Sequence, residues 1–94
     1  MKEYLVQKKK IKNSDGNDME VSYCIVSETL VREDGFPVCE CYGISIQSED
    51  GEKSTVRTVS VSLRQIEDII HVLAQNDVLP VQLSESLENC LERL

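Results

Sequence analysis

The stretch Tyr23–Ile46, "YCIVSETLVREDGFPVCECYGISI", decides the fold. Two runs rich in β-branched and aromatic residues flank a polar break, Arg32–Gly35. Asp34-Gly35 suits a two-residue hairpin loop, because the tight primed turns need positive φ at their central positions. The flanks then pair antiparallel with Ile25 opposite Ile44, Tyr23 opposite Ile46 and Ser27 opposite Tyr42. These residues share one side of a sheet. The other side carries Val26 with Gly43, Glu28 with Cys41, Leu30 with Cys39 and Cys24 with Ser45. A slip of one residue would scatter the apolar set to both sides, so the hydrophobic match sets the register.

Working outward, Asp-Gly recurs at Asp15-Gly16 and Asp50-Gly51, each inside a polar cluster. Three turns separate four strand-like runs, about Lys2–Lys12, Met19–Val31, Pro37–Ser48 and Glu52–Val61. The expectation is an antiparallel meander. A two-residue loop at Asp50-Gly51 sets Arg57 opposite Ile44, on the apolar side. Either that register is off by one, or Arg57 is an inward-leaning charge that blunts an edge strand.

From Leu63 the period changes. Leu63, Ile66, Ile69, Ile70 and Leu73 form one face of a helix over 63–76. Ser62 with Gln65 makes a capping-box arrangement, and Asn76 ends the helix. A second helix fits 80–93, with Pro80 in its first turn and Leu83, Leu87, Cys90, Leu91 and Leu94 as its stripe. Two amphipathic helices must bury their stripes, and one face of the meander is the simplest place. The predicted fold is a single α+β domain over residues 1–94, ordered ββββαα.

The totals agree with one small globular domain. The chain has 94 residues, 40% hydrophobic and 29% charged, with no Trp. Its net charge of −7 argues against a nucleic-acid partner, since phosphate binding needs a basic face. Lys2, Lys8, Lys9, Lys10 and Lys12 are a local exception. They lack the interleaved aromatics that stack on bases, and they read as protection of an edge strand. No apolar run approaches a membrane span, and with no hydrophobic stretch after the first Met neither a transmembrane helix nor a signal peptide is expected. The expected compartment is the cytoplasm, where thiols stay reduced.

Cys39 and Cys41 are the sharpest chemical feature. They project from one side of one strand, ~7 Å apart along it. A thiol pair can bind Zn or Cu(I) or sense redox state. C-x-C is short of the paired C-x-x-C knuckles of a zinc site, and Glu28 and Glu40 disfavour the thiolate. Cys24 lies too far along the sheet to join them, and Cys90 sits on the last helix. His71, the only histidine, falls beside Glu67 on the first helix with no nucleophile aimed at it. The carboxylates are spread over turns and polar helix faces. No phosphate loop, dinucleotide fingerprint or hydrolase elbow occurs. No enzyme activity and no cofactor are expected. The sheet side away from the helices would carry Leu5, Val26, Leu30 and Val56, more apolar than a solvated face requires.

Tyr42-Gly43-Ile44, the helical positions Ile66, Ile70 and Leu73, and "VLPVQL" at Val78–Leu83 resemble a family of short bacterial proteins of unknown function, found mainly in Gram-positive anaerobes. In that family a Pro-x-x-Leu opens the last helix, and Pro80 and Leu83 match it. The resemblance implies no established activity, cofactor or catalytic residue, and the paired cysteines are not a defining feature of it. The functional expectation is a non-enzymatic protein-interaction or regulatory module, binding a protein partner or itself as a homodimer. The alternative is a metal-binding or thiol redox-sensing module that uses Cys39 and Cys41.

Overall fold

The structure, a computed structural model, describes residues 2–12 and 15–92, with side chains to residue 89. Four antiparallel strands run in the order β1-β2-β3-β4. They are β1 Lys2–Lys12, β2 Asp18–Val31, β3 Pro37–Ser48 and β4 Lys53–Ser60. Helix α1 Leu63–Gln75 follows, and a 3₁₀ turn, Pro80–Gln82, leads into α2 Leu83–Glu92. Both helices lie on one face of the meander. Cys90, Leu91 and Leu94, assigned above to the stripe of α2, lie outside the described side chains.

The apolar side of the central pair is the core. Val21, Tyr23, Ile25, Ile44 and Ile46 meet Ile66, Ile69, Ile70 and Leu73 of α1 and Leu83 and Leu87 of α2. The β2–β3 register is the one expected, with Ile25 opposite Ile44 and Leu30 opposite Cys39. Its origin is different. Arg32 N–H donates to Phe36 O and Gly35 N–H to Arg32 O, both at 2.9 Å, so the loop has three residues, Glu33–Gly35. Gly35 alone takes positive φ, +88°. Asp34 acts through its side chain instead, accepting from Phe36 N–H at 3.1 Å. The extra loop residue shifts Val31 to face Pro37, and a bulge at Val38 restores the register from Leu30 onward.

The third hairpin has the same three-residue loop, Glu49–Gly51, with no bulge beside it. Its register therefore differs by one residue from the two-residue expectation. Val56, not Arg57, faces Ile44. Of the two alternatives for this hairpin the off-by-one register is the one found, so Arg57 points to the other side. Val56, expected on the open side, lies on the helix-covered side and packs against the core, which corrects that expectation. Further along, β4 bulges at residues 57–59 opposite Gly43. A Cβ on Gly43 would collide with the carbonyl oxygens of Val56 and Arg57, so the bulge requires glycine there. In β1 a bulge at Val6 separates two registers against β2.

Helix α1 starts as expected at Ser62, whose hydroxyl accepts from Gln65 N–H at 3.2 Å. The reciprocal half of the box is relayed. Ser62 N–H donates to Ser60 Oγ at 3.0 Å, and Ser60 Oγ donates to Gln65 Oε1 at 2.5 Å. At the other end Asp77 takes φ +53°, Val78 N–H reaches Leu73 O and Asp77 N–H reaches Ala74 O. This is a Schellman stop with Asp in the left-handed position. Leu63, expected in the buried stripe, is 44% exposed.

Lengths explain what the helices leave bare. Fourteen residues of β2 span ~46 Å at the strand rise, whereas thirteen residues of α1 span ~20 Å. The molecule measures 52 × 28 × 18 Å, and its long axis is the sheet's.

Candidate interaction surface

The sheet side without helices has its own cover. The two central strands place small residues there, and long charged side chains from the edges close over them. Lys53 of β4 reaches Glu3 of β1 at 3.0 Å, across both central strands. Arg57 of β4 pairs with Glu28 of β2 at 2.5 Å, and Thr58 adds a hydrogen bond to the same carboxylate at 3.3 Å. Beneath this lid Val26 and Cys41 are almost fully buried and Cys24 is 8% exposed. The Arg57 guanidinium holds the Glu28 carboxyl below its usual range.

The apolar patch expected on this side is thus divided. Val26 is roofed over, Val56 is on the opposite side, and Leu5 and Leu30 are exposed but lie at different levels of the sheet. The structure does not bring the four together as one patch.

Cys39 and Cys41 do come together. Their sulfurs lean to 4.0 Å, closer than the spacing of their positions along the strand. Burial raises the Cys41 thiol above its usual range, and the hydrogen bond with Cys39 and the charge of Glu28 add to it. Burial likewise raises Cys24, which sits apart beside Glu3. Among the described residues no three His, Cys, Asp or Glu side chains form a metal-holding cluster.

The exposed apolar residues collect elsewhere. Pairing of β1 with β2 ends at Lys2–Ser27, and pairing of β4 with β3 ends at Ser60–Tyr42. Beyond those pairs, among the described residues, neither edge strand is paired with β2 or β3 through its backbone, and β4 reaches only Glu28 at the base, through Arg57 and Thr58. Residues 28–41 are therefore a two-stranded arm that continues past the four-stranded sheet. It carries Leu30, Val31, Phe36 and Val38 at 43–66% exposure. Sequence reasoning missed the arm, although β1 with eleven residues was too short to flank all fourteen of β2.

A model of a protein family matches residues 2–93. The chain belongs to the family of unknown function DUF6514. No curated protein and no solved structure matches it. In this DUF6514 chain His71 is exposed on α1, off the buried stripe. Lys9, read as edge protection, instead points under the helices: its ammonium donates to Ala74 O at 2.8 Å and pairs with Asp77 at 2.5 Å. It holds β1 to the C-terminal end of α1, where the helix dipole favours a cation. Lys8 pairs with Glu20 at 3.5 Å on the open side. Among the described residues no helix is long and apolar enough to cross a membrane.

Proposed function

We propose that this chain is a cytoplasmic, non-enzymatic protein-interaction module whose contact surface is the arm, residues 28–41. One observation carries the reading: four large apolar side chains stand exposed on a ribbon flanked by neither edge strand. A two-stranded ribbon is marginal in water by itself, and clustered exposed apolar groups mark contact sites. A partner that covers the arm removes both costs. The partner is another protein or a second copy of the chain. A net charge of −7 disfavours a nucleic acid in that role.

Site-specific photo-crosslinking in cells tests this. A benzophenone side chain at Phe36 or Val38 should give one reproducible adduct of defined mass. The same group at Val81, which is 75% exposed on the 3₁₀ turn, should not. Adducts equal at all three positions, or none on the arm, would overturn the reading.

The thiol pair supports a second reading. Two metal–sulfur bonds of ~2.3 Å at a tetrahedral angle hold sulfurs ~3.8 Å apart, close to the 4.0 Å between Cys39 and Cys41. The pair would supply two soft ligands to Zn or Cu(I), with the remaining positions filled from outside. Titration with Zn²⁺ under reducing conditions decides it. Stoichiometric uptake lost in a Cys39→Ser, Cys41→Ser variant supports the site, and uptake unchanged by the variant excludes it.

A further inference from the structure

On the helix side, where α1 stops short of the end of the sheet, a groove of about 500 Å³ opens between β1, β3 and the first turns of α1. Tyr4, Ile25, Tyr42 and Leu63 give it aromatic and aliphatic walls, and Glu40 and Glu67 give it charge. Among the described residues no Lys or Arg lines it. We propose that this groove receives a lysine or arginine side chain presented by a partner protein, which rests on the interaction reading above and names the chemistry of the contact.

The complementarity is specific in kind. A long cationic side chain has an apolar stem and a charged head, and it buries the first while it pairs the second. Here the stem has Ile25 and Leu63 to lie against, and the head has two carboxylates and two phenol rings. Tyrosine faces attract cations, more so where water is displaced. Tyr42 donates its hydroxyl to Glu40 Oε2 at 3.1 Å, which fixes the ring and leaves the second carboxylate oxygen open to a donor. The partly positive start of α1 lies nearby, but its charge is about half a unit against two full negative ones. Lys2 shares this side of the sheet opposite Ser27, and it forms no ion pair among the described residues. It is a competitor at the mouth of the groove rather than a lining residue. The groove opens toward the base of the arm through Glu40, so a peptide could place a basic side chain in one and apolar neighbours on the other. That continuity favours a protein segment over a free small cation.

The test is a titration of ¹⁵N-labelled protein with the capped peptide acetyl-Ala-Ala-Arg-Ala-Ala-amide, followed by amide shifts. Saturable shifts should appear at Tyr4, Ile25, Tyr42 and Glu67. The citrulline peptide, equal in shape but neutral, should bind at least fivefold more weakly. Glu40→Gln with Glu67→Gln should lose a similar factor, and Lys2→Ala should bind more tightly than the parent. Equal binding of the citrulline peptide, or no saturable shift at millimolar peptide, would overturn the proposal even if the double variant fails to fold. Methylguanidinium binding as tightly as the peptide would make the groove a small-cation site and overturn the partner assignment. Failure here with arm crosslinks intact removes the groove alone. Peptide binding without arm crosslinks removes the arm.

Discussion

Tyr23 is fully buried, yet its hydroxyl donates to Val78 O at 2.9 Å, tying β2 to the segment between the helices. Tyr23→Phe would leave that buried carbonyl without its donor, at a cost of ~1–3 kcal/mol. Burial, with the charge of Asp77 second, pushes the Tyr23 phenol up to about 12 from its ordinary 10. The raised pKa means that the folded state keeps a proton the unfolded state gives up. Its contribution is complete below pH 10 and is lost as pH rises from 10 toward 12. Chemical denaturation across that range should show wild-type stability falling more steeply than that of Tyr23→Phe. Parallel curves would mean that the phenol is not held neutral. Asp77 gives a second residue-scale prediction. It occupies the left-handed position that ends α1 and pairs with Lys9. Asp77→Ala loses the ion pair and keeps the strain, so its melting temperature should fall. Asp77→Gly relieves ~1 kcal/mol of strain against an exposed pair of similar or smaller worth, so it should melt no lower than wild type.

At the scale of elements, much of the fold was legible in the sequence, for identifiable reasons. Alternating apolar residues and the period change at Leu63 give strands and helices without reference to tertiary structure. The element order and the β2–β3 register follow from them. What Asp-Gly cannot reveal is whether Asp enters the left-handed region or only lends its carboxylate. Asp34 and Asp50 both do the latter, Asp50 accepting from Glu52 N–H at 3.1 Å. The error is hidden in one hairpin, where the Val38 bulge cancels it, and visible in the next, where nothing does. That is why a two-residue reading of the third loop puts Val56 on the wrong face and leaves Arg57 open between two registers. Deleting Val38 should therefore leave Leu30 opposite Cys39 and the core unchanged. Cross-strand proton contacts between those residues check it, and a shifted ladder would show that the bulge does more than absorb a residue. The candidate surfaces were less legible. The arm and the groove arise from unequal element lengths, and the lid over Val26 needs the corrected register of β4.

For the whole molecule, a long sheet under short helices leaves three exposed regions, each handled differently. The open side is closed by Lys53–Glu3 and Arg57–Glu28. Exposed ion pairs add little stability, but their stems shield what lies beneath. Among the three cysteines of the sheet, iodoacetamide should therefore modify half-buried Cys39 first and leave Cys24 and Cys41 protected until unfolding. Arg57→Ala should speed labelling of Cys41 without a large loss of stability. Peptide mapping reads both, and simultaneous labelling of all three would contradict the lid. The groove and the arm are left open in the isolated chain, as the proposed interaction module requires of surfaces that a partner closes.

Amide hydrogen exchange on the purified chain tests that claim most directly. Val21–Ile25 and Ile44–Ile46 should exchange only through global unfolding. In dilute protein Thr29–Val31 and Val38–Glu40 should exchange orders of magnitude faster, and they should slow as concentration rises where the partner is a second copy of the chain. Arm protection equal to the core in dilute, isolated chain would contradict the proposed interaction role, because it would mean that the arm needs no partner to hold it.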